Sequence, residues 1–366
     1  MGMNDQYTYL HSIKPILPKK VFPQETLVDW VVEAHEQCAT LLGESCDKRR
    51  LRKFALNNSY ISQRYMECPD ESTDWENHHI YRIVPNSPRG IEIHSRNKFF
   101  SGRALEIMKE CYQNRELPDH LIHVTCTGYI APSAPQLYFA TLPNSPAVTH
   151  AYHMGCYASL PSVRMGSAIA KAENKKVDVL HNEMCSIHMN PSVHHPEQIV
   201  VETLFADGHI SYQISSEKKG FRILGVKEKL IPETSENMSW IPGAYGMSMT
   251  LTRDVPIKIR DNILPFVMEM ADEFEVDLPK LIKNGVFAIH PGGPRIIDVV
   301  KTKLELREEQ VKESSKILYE RGNMSSATLP HIWHEIEKNN YPSGTLILSL
   351  AFGPGLTVFG SIFEVI

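Results

Sequence analysis

The stretch Phe287–Asp298 reads FAIHPGGPRIID. An apolar run ends at His290, two glycines follow between two prolines, and an apolar pattern with helical spacing then resumes. A short apolar run bounded by turn residues fits a buried strand, and Gly/Pro clusters between periodic segments mark turns. The imidazole therefore stands at a strand end, beside a segment that cannot stay regular. A plain turn explains the glycines and prolines as well as a functional site does, so the rest of the chain has to decide.

The alternation seen there runs through the sequence. LIHVTCTGY (121–129), VDVLHNEMCSIHM (177–189), GVFAIH (285–290) and GTLILSLAFGPG (344–355) read as strands that stop at loops, and ETLFADGHISYQIS (202–215) as a turn into an alternating strand. Helical spacing appears in 27–44, 159–174, 259–274 and 307–322. The fold class is α/β with mixed sheets. A change of character at SEKKG (216–220) suggests two similar halves, 1–217 and 218–366.

Composition narrows the function classes. The 366 residues are 42% apolar with a net charge of -5, which gives no electrostatic case for nucleic acid or an anionic membrane. No segment has the ~18 uninterrupted apolar residues of a membrane span. The start, MGMNDQ, has neither a signal pattern nor the Ser or Thr of a myristoylation site. Seven cysteines, odd in number and without a CxxC, fit reduced thiols in a cytoplasm. His188, His194 and His195 lie close together in sequence, but in a Pro-containing loop they read as solvated rather than as metal ligands. Neither a metal nor a bound cofactor is expected.

Three groups carry possible chemistry. Cys156 follows Gly155 and precedes a helical segment rich in small residues, with Pro161 fitting its first turn. At a helix N-terminus the unsatisfied N–H groups favour the reactive thiolate, although a free cysteine is often an inert buried one. Cys126 and Cys185 follow strands without a glycine-led turn and read as structural or pocket-lining thiols. Asn323 precedes a helical pattern, where it is either an N-cap or a neutral donor for an enolate oxygen. In LAFGPGLTVFG, Gly353 and Gly355 allow backbone N–H groups to approach an acyl oxygen, or simply form a turn.

In this order, GCYAS (155–159), LFADG (204–208), RDVP (253–256), IHPGGPRIID (289–298), GNMSSA (322–327) and FGPGLTV (352–358) resemble the type III polyketide synthases, the chalcone synthase-like branch of the thiolase-fold condensing enzymes. The resemblance spans Arg64, in QRYM, to the C-terminus. It implies a thiolase-like fold of two α/β halves layered αβαβα, and a homodimer whose partner approaches around 126–135. It implies a Claisen condensation of acyl-CoA or acyl-carrier-protein thioesters, with a malonyl-type extender. Cys156 falls at the family's nucleophile, His290 at its catalytic histidine and Asn323 at its asparagine. Phe205 falls at the gatekeeper, and His188, Met249, Cys126, Gly353 and Gly355 at substrate-binding positions.

Some positions depart from the family pattern. Ser159 and Leu160 stand where many relatives have a glycine pair. Leu51, Phe54 and Asn58 stand at the plant coenzyme A positions, with Lys48, Arg49, Arg50, Arg52 and Lys53 beside them. That basic run reads as a solvated face or as a surface for an acidic carrier protein. Cys185 and His188 replace small hydroxyl residues, and a large His188 would restrict chain growth unless it turns outward to a loop. These departures resemble bacterial members with few extensions, including those that join β-ketoacyl chains into an α-pyrone. The alternatives are a fatty-acid-type 3-oxoacyl-ACP synthase III and a non-catalytic chain-length-factor-like partner. A papain-like hydrolase also uses Cys, His and Asn, but its cysteine context is absent.

Overall fold

A computed structural model describes residues 7–366; the N-terminal myristoylation position lies outside the described residues. The strands are β1 (Tyr9–Ile16), β2 (Lys20–Pro23), β3 (Gln63–Met66), β4 (His120–Thr125), β5 (Ala147–Tyr152), β6 (Val177–Met184), β7 (Asp207–Ser215), β8 (Phe221–Leu230), β9 (Met238–Gly243), β10 (Gly246–Leu251), β11 (Val286–Ile289), β12 (Leu346–Gly353) and β13 (Thr357–Val365). The helices are α1 (Gln24–Leu42), α2 (Lys48–Phe54), α3 (Ile93–Tyr112), α4 (Ala134–Phe139), α5 (Ser159–Glu173), α6 (Pro196–Leu204), α7 (Val255–Glu273), α8 (Leu278–Asn284), α9 (Pro294–Lys303), α10 (Lys312–Arg321) and α11 (Thr328–Lys338).

Nine strands join in the order β11-β12-β13-β8-β1-β7-β6-β4-β5. The pairing pattern repeats along it. β4 is parallel to β6, β6 antiparallel to β7, and β7 antiparallel to β1. Likewise β11 is parallel to β12, β12 antiparallel to β13, and β13 antiparallel to β8. The two series meet where Tyr9 and Leu10 of β1 pair with Arg222 and Phe221 of β8. β5 adds a parallel strand outside β4 and forms one edge of the sheet, with β11 at the other.

Period-two alternation sorts the strand side chains into layers. Val286 and Ala288 of β11, with Ile347 and Ala351 of β12, face a central core that contains Leu160, Val163 and Ala170 of α5 and Leu329, Ile332, Trp333 and Ile336 of α11. Val177, Val179, Ile210, Tyr212 and Ile214, from β6 and β7, join the same core. The alternate residues Phe287, Ile289, Leu348 and Leu350 face outward onto α7 and α9. Leu121, Leu180 and Met184 face α1 and α3 on the other side. Two helices thus lie between two sheet faces, with further helices outside: the layering of the thiolase-like fold. Strands covered on both faces read as continuous apolar runs, and that is how these runs are written.

VDVLHNEMCSIHM reads as one strand through Met189, but β6 stops at Met184. Cys185–His188 winds into a 3₁₀ turn, held by the Ser186 N–H donating to Asp207 Oδ1 at 2.7 Å. That turn carries Cys185 and His188 off the sheet and toward the cavity. Among the described residues, no helix is long and apolar enough to cross a membrane.

Trp333 is fully buried. Its indole N–H donates to Ser349 Oγ at 2.9 Å, and its ring meets Tyr212 and Phe363 edge-on at 5.6 and 5.4 Å. It ties α11 to both series of strands. Trp333→Ala is expected to lower unfolding free energy by about 3–5 kcal/mol; equilibrium denaturation with urea measures this, and a loss below about 1 kcal/mol would assign the tie elsewhere.

Candidate active site

Cys156 lies in the tight turn between β5 and α5, two residues before the helix cap at Ala158. The turn needs its glycine. Gly155 has φ +80°, and a Cβ there would stand 2.7 Å from Pro354 Cδ. Pro354 belongs to the loop closing β12. The preceding Gly353 is packed so closely that a Cβ would lie 2.4 Å from Tyr157 Cδ1. The glycine-rich loop of the second series thus seats directly on the cysteine turn of the first. On the other side the Gly155 N–H donates to Cys126 Sγ at 3.0 Å.

His290 reaches the same end of the sheet from β11. Ile289 pairs with Leu350, and the His290 N–H donates to Leu350 O at 2.8 Å. His290 therefore stands beside the C-terminal end of β12, whose next residues press on the cysteine turn. It is fully buried, and neither ring nitrogen has a partner.

Asn323 arrives from the loop before α11. Its N–H donates to Leu204 O at 3.0 Å, and its carbonyl accepts from Ala206 N at 2.8 Å, so it brackets Phe205. Its Oδ1 accepts from Ser325 N at 2.9 Å and from Thr328 Oγ1 at 3.3 Å. The amide oxygen therefore makes the capping contacts, while the buried Nδ2 has no partner. The two readings of Asn323 are compatible: one end of the amide caps and the other is free to donate. The side chains of Ser325 and Asn323 both favour the Cys156 thiolate, which places them beside its sulfur.

Electrostatics oppose either charge alone. Burial pushes the Cys156 thiol up to about 12, with the Glu183 carboxylate adding to the rise and Ser325 and Asn323 resisting it. Burial alone pulls His290 down to about 3. The helix N-terminus is the basis for expecting a thiolate, but in an isolated thiol desolvation outweighs it.

The cavity at Cys156 is lined by Cys126, Cys185, Phe205, Trp240, Met249 and Ser325, among others, and by Pro354 between Gly353 and Gly355. The structure so brings Cys126, Cys156, Phe205 and Met249 together. His188 instead lines an adjoining lobe. It points inward yet also holds a loop, since Nε2 donates to Thr127 O at 2.7 Å. The reading of these histidines as solvated holds only for His195: His188 is buried, and His194 is half-buried against His35 at 2.9 Å, because both are held by packed neighbours. Among the described residues no His/Cys/Asp/Glu group is arranged to hold a metal.

Sequence reading missed Glu183, Trp240 and Ser325. Glu183 is a buried carboxylate that accepts from the Cys126 N–H, from Thr127 Oγ1 at 2.9 Å and from Ser326 Oγ, thereby tying the Cys126 loop to the Asn323 loop. An acid inside a two-sided apolar strand was the available signal. Trp240 donates to Cys126 O at 2.6 Å and stacks on Phe205 at 6.4 Å; nothing in its local sequence marked it. Ser325 has φ +51°, a left-handed conformation for a non-glycine residue, and lies in the cavity wall.

Comparison with known proteins shows the family. The family profiles described as chalcone and stilbene synthases match residues 4–217 with the N-terminal domain and 223–366 with the C-terminal domain. The chain belongs to the chalcone and stilbene synthase family. Members of this family are acyl-transferring condensing enzymes. "Probable polyketide synthase 1" of Dictyostelium discoideum is 30% identical over 364 residues, 94% of this chain. The chain spans only 11% of the length of that relative. The C-terminal type III polyketide synthase domain of Steely1, a type I/III hybrid from Dictyostelium, superposes with a TM-score of 0.83 at 22% identity, covering 98% of this chain and 99% of that one. PKS-I from the brown alga Ectocarpus siliculosus superposes at 0.85 with 20% identity over 100% of both chains. These likenesses carry the fold.

The Gly155 contact is testable. Gly155→Ala adds left-handed strain of about 1–2 kcal/mol and a methyl clash with Pro354. A drop of at least about 2 kcal/mol in stability is expected, together with slower alkylation of Cys156 by iodoacetamide. Wild-type behaviour in both measurements would show that the turn does not depend on this contact.

Proposed function

We propose that this chain is a polyketide synthase whose Cys156 takes an acyl group from a thioester and whose His290 and Asn323 stabilise the enolate that extends it. The observation that carries this reading is a pair of buried side chains with unused hydrogen-bonding atoms, His290 and Asn323 Nδ2, of which Asn323 lies beside the buried Cys156 thiol. Buried polar groups are almost always paired, and exceptions gather where a ligand supplies the partner. Cys156 and His290 can charge together, thiolate with imidazolium, where neither charges alone. Thiolate attack on the thioester transfers the acyl group and releases the carrier thiol. A malonyl thioester bound next loses carbon dioxide, and the electron pair left behind forms the enolate. Its oxygen accepts from His290 and Asn323 Nδ2. The enolate carbon then attacks the acyl carbon, and Cys156 leaves as thiolate.

For the carrier, α2 offers a basic face. Lys48 is committed to Glu33 and Glu36, and Arg52 to Asp29. Arg49, Arg50 and Lys53 remain for a coenzyme A phosphate or an acidic carrier protein; comparing acyl-CoA with acyl-carrier starters in the assay below separates the two. All seven cysteines are free. That supports a cytoplasmic setting, and thiol titration of protein isolated under alkylating conditions reads it.

One assay tests the roles. With acyl-CoA and malonyl-CoA, Cys156→Ala is expected to give neither an acyl adduct by intact-protein mass spectrometry nor product. Asn323→Ala should keep the adduct and lose decarboxylation by on the order of 100–1000-fold. His290→Gln should slow Cys156 alkylation at pH 7 by at least about tenfold, because the thiolate loses its counter-charge. An active Cys156→Ala protein would sink the mechanism.

β5 pairs with β4 on one side only and leaves its other side open, near the 126–135 segment where the partner is expected. A second copy of the chain meeting that edge gives a two-fold dimer. Sedimentation equilibrium should find that dimer at micromolar concentration, and a stable monomer would remove the proposal.

A further inference from the structure

A relay of four titratable side chains runs from the surface to the last turn of α6. Glu202 stands in that turn, with its side chain 2% exposed. Its Oε1 accepts from the Asn190 N–H at 2.9 Å and from Gln198 Nε2 at 2.7 Å. Its Oε2 meets Nε2 of His35, fully buried on α1, at 2.6 Å. His35 Nδ1 meets Nδ1 of His194, in the segment before α6, at 2.9 Å. His194 Nε2 stands 3.9 Å from Glu44 Oε2, just beyond the end of α1. The relay reaches solvent at this last pair, whose side chains are 22% and 48% exposed.

The hydrogen bonds fix where the protons sit. A carboxylate only accepts, so His35 carries a proton on Nε2. Two ring nitrogens that face each other need one proton between them. With both rings neutral, His35 Nδ1 accepts and His194 Nδ1 donates, which leaves His194 Nε2 bare and without a partner. One further proton, whichever ring then holds the charge, puts an N–H at His194 Nε2. A second would set two N–H groups against each other, so the pair takes up one.

That proton changes what the segment before α6 must do. At 3.9 Å from Glu44 the new N–H is too far for a hydrogen bond, and it closes on the carboxylate only if the segment shifts outward. The same segment holds Glu202 through Asn190. Beyond Glu202, Leu204 O and Ala206 N grip the Asn323 backbone. We propose that Glu202, His35 and His194 are positioning residues: they hold the end of α6, and through it the Asn323 donor, until His194 takes up one proton and releases it. The proposal rests on the acyl-transfer reading above and adds a control on its decarboxylation step. The charged and titratable groups that face His194 are His35 and Glu44 from α1 and its end, Glu202 from α6 and His195 from its own segment. Burial, and then His35, hold His194 below the ordinary imidazole value of 6.5. The unfolded chain therefore binds this proton more readily, so the contribution to stability is present above pH 6.5 and is lost as pH falls from there.

The test follows malonyl-CoA decarboxylation, acylation of Cys156 by an acyl-CoA, and unfolding in urea, from about pH 8 to about pH 5, in wild type, His194→Gln and Glu44→Gln. Glutamine still donates to His35 Nδ1 but takes up no proton. Wild-type decarboxylation is expected to fall below pH 6.5 with the slope of one proton, up to about tenfold per pH unit. In His194→Gln the fall disappears and the rate at about pH 8 stays within about twofold of wild type. In Glu44→Gln, which lacks the counter-charge, the fall moves to lower pH. Acylation, which does not use Asn323, keeps one pH profile in all three proteins. Urea unfolding reads the same proton: wild type loses stability below pH 6.5 and His194→Gln loses less. A fall that persists in His194→Gln, an unmoved midpoint in Glu44→Gln, or a wild-type rate flat down to about pH 5 overturns the proposal. So does an acylation profile that changes in step with decarboxylation, or equal pH dependence of unfolding in wild type and His194→Gln. In each of these cases only this inference falls. If wild type neither acylates nor decarboxylates at any pH, the acyl-transfer reading falls with it.

Discussion

Everything at the site depends on one contact between two turns. Gly155 has no side chain, so Pro354 can lie against it; Gly353 has none, so Tyr157 can lie against that. One turn comes from the strand series that ends before residue 216, the other from the series that begins after 220. Seated together, they close the C-terminal ends of β5 and β12 over one space. β11 pairs in parallel with β12 and sets His290 beside Leu350 at that end of the sheet. No side chain is small enough to replace either glycine without moving the cysteine.

The burial that gives the turns their contact also sets the chemistry. In a dry site an isolated thiolate or imidazolium is expensive, and both groups are pushed toward their neutral forms. Glu183 adds negative charge near the sulfur, but its own acceptor sites are taken up by Cys126, Thr127 and Ser326. Charge is therefore favourable only when it appears as a pair or is met by a donor already in place. Asn323 is such a donor, because the backbone and Thr328 fix its oxygen and leave its nitrogen free. Preorganised donors in a low-dielectric space act more strongly than the same groups in water.

Five of the thirteen described strands, β4, β6, β7, β11 and β12, and the turns beside Cys156 and His290 were legible in the sequence for a physical reason. Strands buried on both faces need unbroken apolar runs, and turns under steric pressure need glycine, so GVFAIH and GCYAS announce themselves. Gly-Pro loops marked the strand ends where His290 and Pro354 stand. What stayed hidden depends on contacts far apart in sequence. The end of β6 at Met184 is set by Asp207 capturing Ser186, more than twenty positions away, and no local pattern announces it. Trp240 sits on a small hairpin, and its role comes from Cys126 O and the Phe205 ring. The helix α6 was missed because its apolar positions merge with the run into β7. The inward turn of His188 likewise follows from its bond to Thr127, not from its neighbours.

Arg64 links the end of α6 to the shape of the cavity. The guanidinium holds the carbonyls of Glu202 and Phe205, the exposed acceptors at the end of α6. Those bonds fix the backbone of Phe205, whose neighbours Leu204 and Ala206 grip Asn323. The same guanidinium forms part of the wall of the adjoining lobe. Lysine would not reproduce this, because one ammonium cannot span Gln24 and two backbone carbonyls in the fixed plane of a guanidinium. Holding both carbonyls at once is a physical reason for burying an arginine where an aliphatic side chain would leave the end of α6 without donors.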